Sequence, residues 1–82
     1  MLVSVVDMKL TGQNIASLRA MRGISVRDLQ EMLGIATPQA IYKWQRGETL
    51  PGIENLAALS RVFGVSINEI LVVDCRREED DG

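Results

Sequence analysis

The chain contains no histidine, a single cysteine and two prolines among its 82 residues. Without histidine it lacks the commonest general base and the commonest metal ligand. Cys75, having no second thiol, can form neither an intramolecular disulfide nor a cysteine cage for a metal. No apolar run approaches the ~20 residues of a membrane span, and residues 1–10 carry no basic region, cleavage site or lipidation signal. The expected location is therefore the cytoplasm, with no membrane partner. Nucleophile, metal and phosphate-loop motifs are missing too, and a chain of this size leaves little room for a substrate pocket beside its core. These absences argue against an enzyme and predict neither cofactor nor metal.

What is present is a composition of 46% hydrophobic and 24% charged residues, too apolar for a disordered tail and too charged for a bilayer. One soluble domain over residues 1–82 is expected, burying only about 60% of the surface its unfolded chain exposes. The net charge of −2 is unevenly spread. Residues 74–82 hold five acids (Asp74, Glu78, Glu79, Asp80, Asp81) against Arg76 and Arg77, a net of −3, and read as an acidic, solvated tail. Residues 9–73 carry seven basic against five acidic side chains, a net of +2, which is mild for a nucleic-acid binder.

Glycine and hydroxyl residues cut the chain into five short helices. Thr11 is expected to cap the first, with Ile15, Leu18 and Met21 inward and Gly23 as its left-handed stop. Ser25 with Asp28 resembles a capping box with the shorter acid, leading Val26, Leu29 and Leu33 inward to Gly34. Thr37-Pro38 opens a third helix running to Arg46, closed by Gly47. After the Leu50-Pro51-Gly52 corner a fourth helix turns Ile53, Leu56, Leu59 and Phe63 inward and stops at Gly64. Ser66 and Glu69 make a full capping box for a fifth, carrying Ile67, Ile70 and Leu71. The ends differ. Residues 2–6 and 71–75 are rich in valine, a strand former, and are expected to pair with each other in a short antiparallel β-ribbon or across a dimer axis; alternatively Val5 to Leu10, within an extended N-terminal segment of residues 1–10, simply packs over the helices.

Residues 25–33, a short Gly34-Ile35-Ala36 turn and residues 37–46 have the spacing of a helix-turn-helix. At about 100° per residue, Ile41 and Trp44 fall on one side of the third helix and Gln39, Tyr42, Lys43 and Arg46 on the other. The outer set holds an amide able to bond adenine twice, two cations suited to guanine or phosphate, and a phenol that reaches phosphate or a thymine methyl. Trp44, on the inner side, is read as core rather than as a base-stacking platform. Any amphipathic surface helix also turns polar residues outward, so the helix alone does not decide the matter.

The stretch Ile15-Ala-Ser-Leu-Arg-Ala-Met-Arg-Gly-Ile-Ser25, then Gly34-Ile35, Ala40-Ile-Tyr-Lys-Trp-Gln-Arg-Gly47, Leu50-Pro51 and Leu59-Ser-Arg-Val-Phe-Gly-Val-Ser66, resembles the phage-repressor/Cro (Xre-like) helix-turn-helix family over residues 11–71. The resemblance implies an all-α, compact five-helix domain that binds operator DNA, commonly as a homodimer, with its third helix in the major groove. It places Gln39 and Lys43 at the base-reading positions, and Thr37, Tyr42, Arg46 and Thr49 nearby against the backbone. Where many members have a phosphate-binding glutamine this chain has Val26, leaving Arg27 as the substitute. Gln45 stands where a glutamate commonly pairs with the arginine matched by Arg19, which is expected to turn to Glu48, a carbonyl or a phosphate. The function implied is a sequence-specific DNA-binding transcriptional regulator, a repressor on double-stranded operator DNA. The alternative is an antitoxin or protein-interaction module that keeps the fold with weak or no DNA binding, its partner a toxin or an anti-repressor protein.

Overall fold

Capping chemistry sets where each helix begins. The computed structural model describes residues 1–77, arranged as β1 (Leu2–Val6), α1 (Met8–Met21), α2 (Val26–Leu33), α3 (Gln39–Gln45), α4 (Ile53–Phe63), α5 (Ile67–Ile70) and β2 (Val73–Arg77). Ser25 accepts the Asp28 amide at the head of α2, and Ser66 with Glu69 forms the complete reciprocal box on α5. Two starts differ from the sequence expectation. Helix α1 opens one turn earlier, on Asp7, whose carboxylate accepts the Leu10 amide at 2.8 Å. Thr11 is not a cap but a wholly buried residue of that helix. Its Oγ1 accepts the Val72 amide at 2.9 Å, tying α1 to the segment that leads into β2. In α3 the capping position is held by Pro38, in helical conformation and with no side-chain bond, so Thr37 lies outside the helix.

The five helices gather around Ile15, Leu29, Ile41, Trp44, Leu56, Leu59, Phe63 and Ile70, all buried, with Leu18, Val26, Leu33, Ile67 and Leu71 packed partly against them. Met21 and Ile53, expected inward, are 74% and 79% exposed. Each lies in a terminal turn, where the apolar stripe runs past the edge of its neighbours. Interhelical caps join the layers: Arg22 Nε donates to the Phe63 carbonyl at 3.0 Å, and Asn14 Nδ2 to the Glu69 and Ile70 carbonyls at 2.7 and 2.9 Å. These bonds satisfy acceptors that the ends of α4 and α5 would otherwise leave open.

The valine-rich ends pair with each other. β1 and β2 form a two-stranded antiparallel ribbon in which Leu2 faces Arg77, Ser4 faces Cys75 and Val6 faces Val73. The N-terminal segment is thus extended only to Val6, and the stretch read as a tail from Asp74 is strand as far as Arg77. The rest of that reading, residues 78–82, lies outside the described residues. A compact domain of this length has a radius of gyration of about 12 Å, whereas this chain has 14.4 Å and extents of 52 × 23 × 20 Å. The two strands pair mainly with each other and touch the helices only slightly, in keeping with this elongated shape.

Candidate nucleic-acid interface

Helix α3 is placed by close backbone contact rather than by side chains alone. Gly12 in α1 is buried with the Trp44 and Gln45 carbonyls directly over its Cα; a Cβ there would meet the Gln45 oxygen at 2.9 Å and the Trp44 oxygen closer still. Just beyond the same end of α3, Gly47, with φ +74°, seats against the Lys9 backbone, where a Cβ would lie 2.7 Å from the Lys9 Cα. The C-terminal end of α3 is therefore seated on the first turns of α1, with Ile41 and Trp44 sunk into the core. Arg19 fastens the same junction. Its Nε donates to Gln45 Oε1 at 3.0 Å and its Nη1 to the Ile24 carbonyl at 2.8 Å. The neutral amide is kept as a partner and a carbonyl is added; Glu48, the acid considered for Arg19, goes elsewhere.

The turn between α2 and α3 has its own brace. Gly34 closes α2 in the left-handed conformation, and Gln30 Nε2 donates to the carbonyls of Ile35 and Ala36 at 3.4 and 3.1 Å. A side chain of α2 thereby fixes the chain just before α3 begins. Nothing in the local sequence singles out Gln30 for this, because its acceptors become neighbours only once the turn has formed.

The outer face of α3 presents Gln39, Tyr42, Lys43 and Arg46, all exposed, with Thr37 before the helix and Thr49 after it also exposed. Gln39 and Lys43 sit one turn apart, and among the described residues neither side chain has a hydrogen-bonding or ionic partner. Arg46 is different. Its Nε and Nη2 both reach Glu48 Oε2, at 2.8 and 2.7 Å. Arg27, on the first turn of α2, lies 4.0 Å from Glu31 with both side chains largely in water, a contact that holds neither. One basic residue escaped the sequence reading. Lys9 is exposed on the first turn of α1, and its backbone lies against Gly47 just after α3, so it is a basic residue near that end of the helix. The signal was hidden because the reading began α1 at Thr11.

Residues 15–70 match the helix-turn-helix family, which is more than half of the chain. The protein belongs to that Xre/Cro-like family of DNA-binding transcriptional regulators. Among solved structures, the helix-turn-helix domain is similar to the P22 c2 repressor in complex with a synthetic operator, at 35% identity and a TM-score of 0.68, covering 73% of this chain and 89% of that one. It shares its fold with the restriction-modification controller protein C.AhdI from Aeromonas hydrophila (22% identity, TM-score 0.70, 78% and 96% of the two chains). The DNA-binding domain of BldD shares the fold as well (24% identity, TM-score 0.68, 80% and 94%). No curated protein sequence matches the chain at a significant level. No helix among the described residues is long and apolar enough to cross a membrane.

Proposed function

We propose that the protein is a cytoplasmic repressor that occupies a pseudo-palindromic operator as a homodimer, each subunit laying α3 in the major groove. The observation that carries this reading is the division of α3: Ile41 and Trp44 are buried, while Gln39 and Lys43 stand unpartnered on the opposite face. A glutamine amide matches the N6/N7 edge of adenine in two bonds, and a lysine one turn on reaches guanine O6/N7 or a phosphate. Arg27, Thr37, Tyr42, Arg46 and Thr49, joined by Lys9, would hold the backbone and set the register. The solved complex of the P22 c2 repressor with its operator supports the assignment of partner. One module touches few base pairs, and a two-fold pair reaches half-sites about one DNA turn apart, which is the reason for expecting a dimer.

The test is retention on DNA selected from a random oligonucleotide pool, followed against salt. Enrichment of a two-fold repeat, with affinity falling steeply as ionic strength rises, is the expected result. Failure to enrich any sequence, with no retention at low salt, would remove the repressor. The second reading, an antitoxin or another module docking a toxin or anti-repressor, draws on the Arg46–Glu48 pair, which neutralises one of the cations on the DNA-facing side. A stoichiometric protein partner recovered without any DNA-dependent complex would favour it.

A further inference from the structure

The ribbon has an open edge that is unlike its other edge. β1 reads Leu-Val-Ser-Val-Val, without a charge, a proline or a bulge, whereas β2 reads Val-Asp-Cys-Arg-Arg. Proteins commonly guard exposed strand edges with charge, proline or distortion. β2 has the first of these and β1 has none. Two strands alone are marginal in water; stability comes with a third or fourth strand or a covering helix. Leu2 and Val73 are 72% and 52% exposed, and every residue of β2 is exposed.

The hydrogen-bond phase of the ribbon shows which groups the edge offers. The Asp7 amide donates to the Val72 carbonyl at 2.8 Å. Because antiparallel partners alternate, Val5 and Val3 turn their amide and carbonyl inward to β2, and Leu2, Ser4 and Val6 turn theirs outward. A second β1 run antiparallel along this edge overlaps all five residues in one register, with Ser4 facing Ser4 on the two-fold axis, Leu2 facing Val6 and Val3 facing Val5. In that register the outward groups of one strand meet the outward groups of the other, and every apolar side chain meets an apolar one. The same operation on β2 sets Val73 against Arg77 and gathers an excess of positive charge.

We infer that β1 is a dimerisation edge, and that its occupant is β1 of a second copy of this chain, giving a continuous four-stranded antiparallel sheet across the two-fold axis. This rests on the homodimer part of the function proposed above and supplies its interface. A contact of two five-residue strands lies at the small end of protein interfaces, so the free protein dimerises weakly and the operator completes the pair.

Sedimentation equilibrium of the full chain at micromolar to millimolar concentration tests it, using Ser4→Lys, Ser4→Pro and Cys75→Lys. The wild type should move from monomer to dimer mass with concentration. Ser4→Lys sets two like charges together on the axis. Ser4→Pro removes an amide that the ribbon itself does not use. Both should shift the midpoint at least tenfold towards monomer with unchanged helical circular dichroism and melting, and Cys75→Lys should not. A wild type that stays monomeric throughout, a dimer lost only on Cys75→Lys, or a dimer indifferent to all three would overturn the assignment. Footprinting with Ser4→Lys separates this from the repressor reading: half-site protection that survives at higher protein concentration leaves DNA recognition standing whatever the fate of the interface.

Discussion

At the scale of single residues, the site is governed by which polar groups already have partners. Gln39 and Lys43 have none among the described residues, so their hydrogen-bonding capacity is free for base edges. Gln39→Ala should relax preference at one position of the site, costing about 1–3 kcal/mol against the best sequence and little against others. Lys43→Ala tells base from phosphate: uniform weakening on all sequences means phosphate, and loss confined to one base means direct reading, both measurable by binding to single-base variants. Arg46 is held by Glu48, but the pair is exposed, with side chains 56% and 54% accessible, and is worth no more than about 1 kcal/mol. A phosphate can therefore take the arginine, while the Glu48 carboxylate stays nearby as a repulsive neighbour. Glu48→Gln should tighten DNA binding on every sequence and steepen the slope of log K against log salt by about 0.9, the increment for one phosphate contact.

At the scale of elements, the helices were largely legible where local chemistry specifies them and illegible where tertiary contact does. The caps at Ser25 and Ser66, and the left-handed glycines 23, 34, 47 and 64, act over a few residues and could be found by eye. So could the two faces of α3, because about half a helical turn separates Ile41 and Trp44 from Gln39 and Lys43. Thr11 misled because a hydroxyl suits a helix start and a buried acceptor equally well, and only the arrival of the Val72 amide from 61 residues away decides between them. Arg19 was legible in position but not in partner, since Gln45 reaches its guanidinium only after α1 and α3 dock, and the Ile24 carbonyl only once the turn after α1 has formed. Two substitutions probe these joints. Gly12→Ala should drive a methyl into the carbonyls at the end of α3 and destabilise by about 1–3 kcal/mol or more, visible as a fall in melting temperature of about 4–8 °C per kcal/mol. Thr11→Val keeps the shape but leaves the Val72 amide unsatisfied, a loss of about 1–3 kcal/mol, with faster hydrogen exchange at that amide as its local signature.

At the scale of the whole molecule, the helical body and the ribbon differ in how they are held. The body has a continuous apolar core, whereas the ribbon stands on strand pairing, the Thr11 bond and partial burial of Val3 and Val6. Stability should be graded accordingly: native-state hydrogen exchange is expected to show ribbon amides opening well before those of α1 and α4, with the gap narrowing at high protein concentration if β1 pairs between copies. Equal protection throughout the chain would show one cooperative unit instead.

Facing Leu2 with Arg77 also has a topological outcome. Both ends of the described chain leave through a single tip, so a fluorophore or fusion attached at one end is a neighbour of anything attached at the other. A donor and acceptor placed there would lose energy transfer when the strands part, while circular dichroism still registers intact helices, giving an optical gauge of the ribbon separate from that of the core.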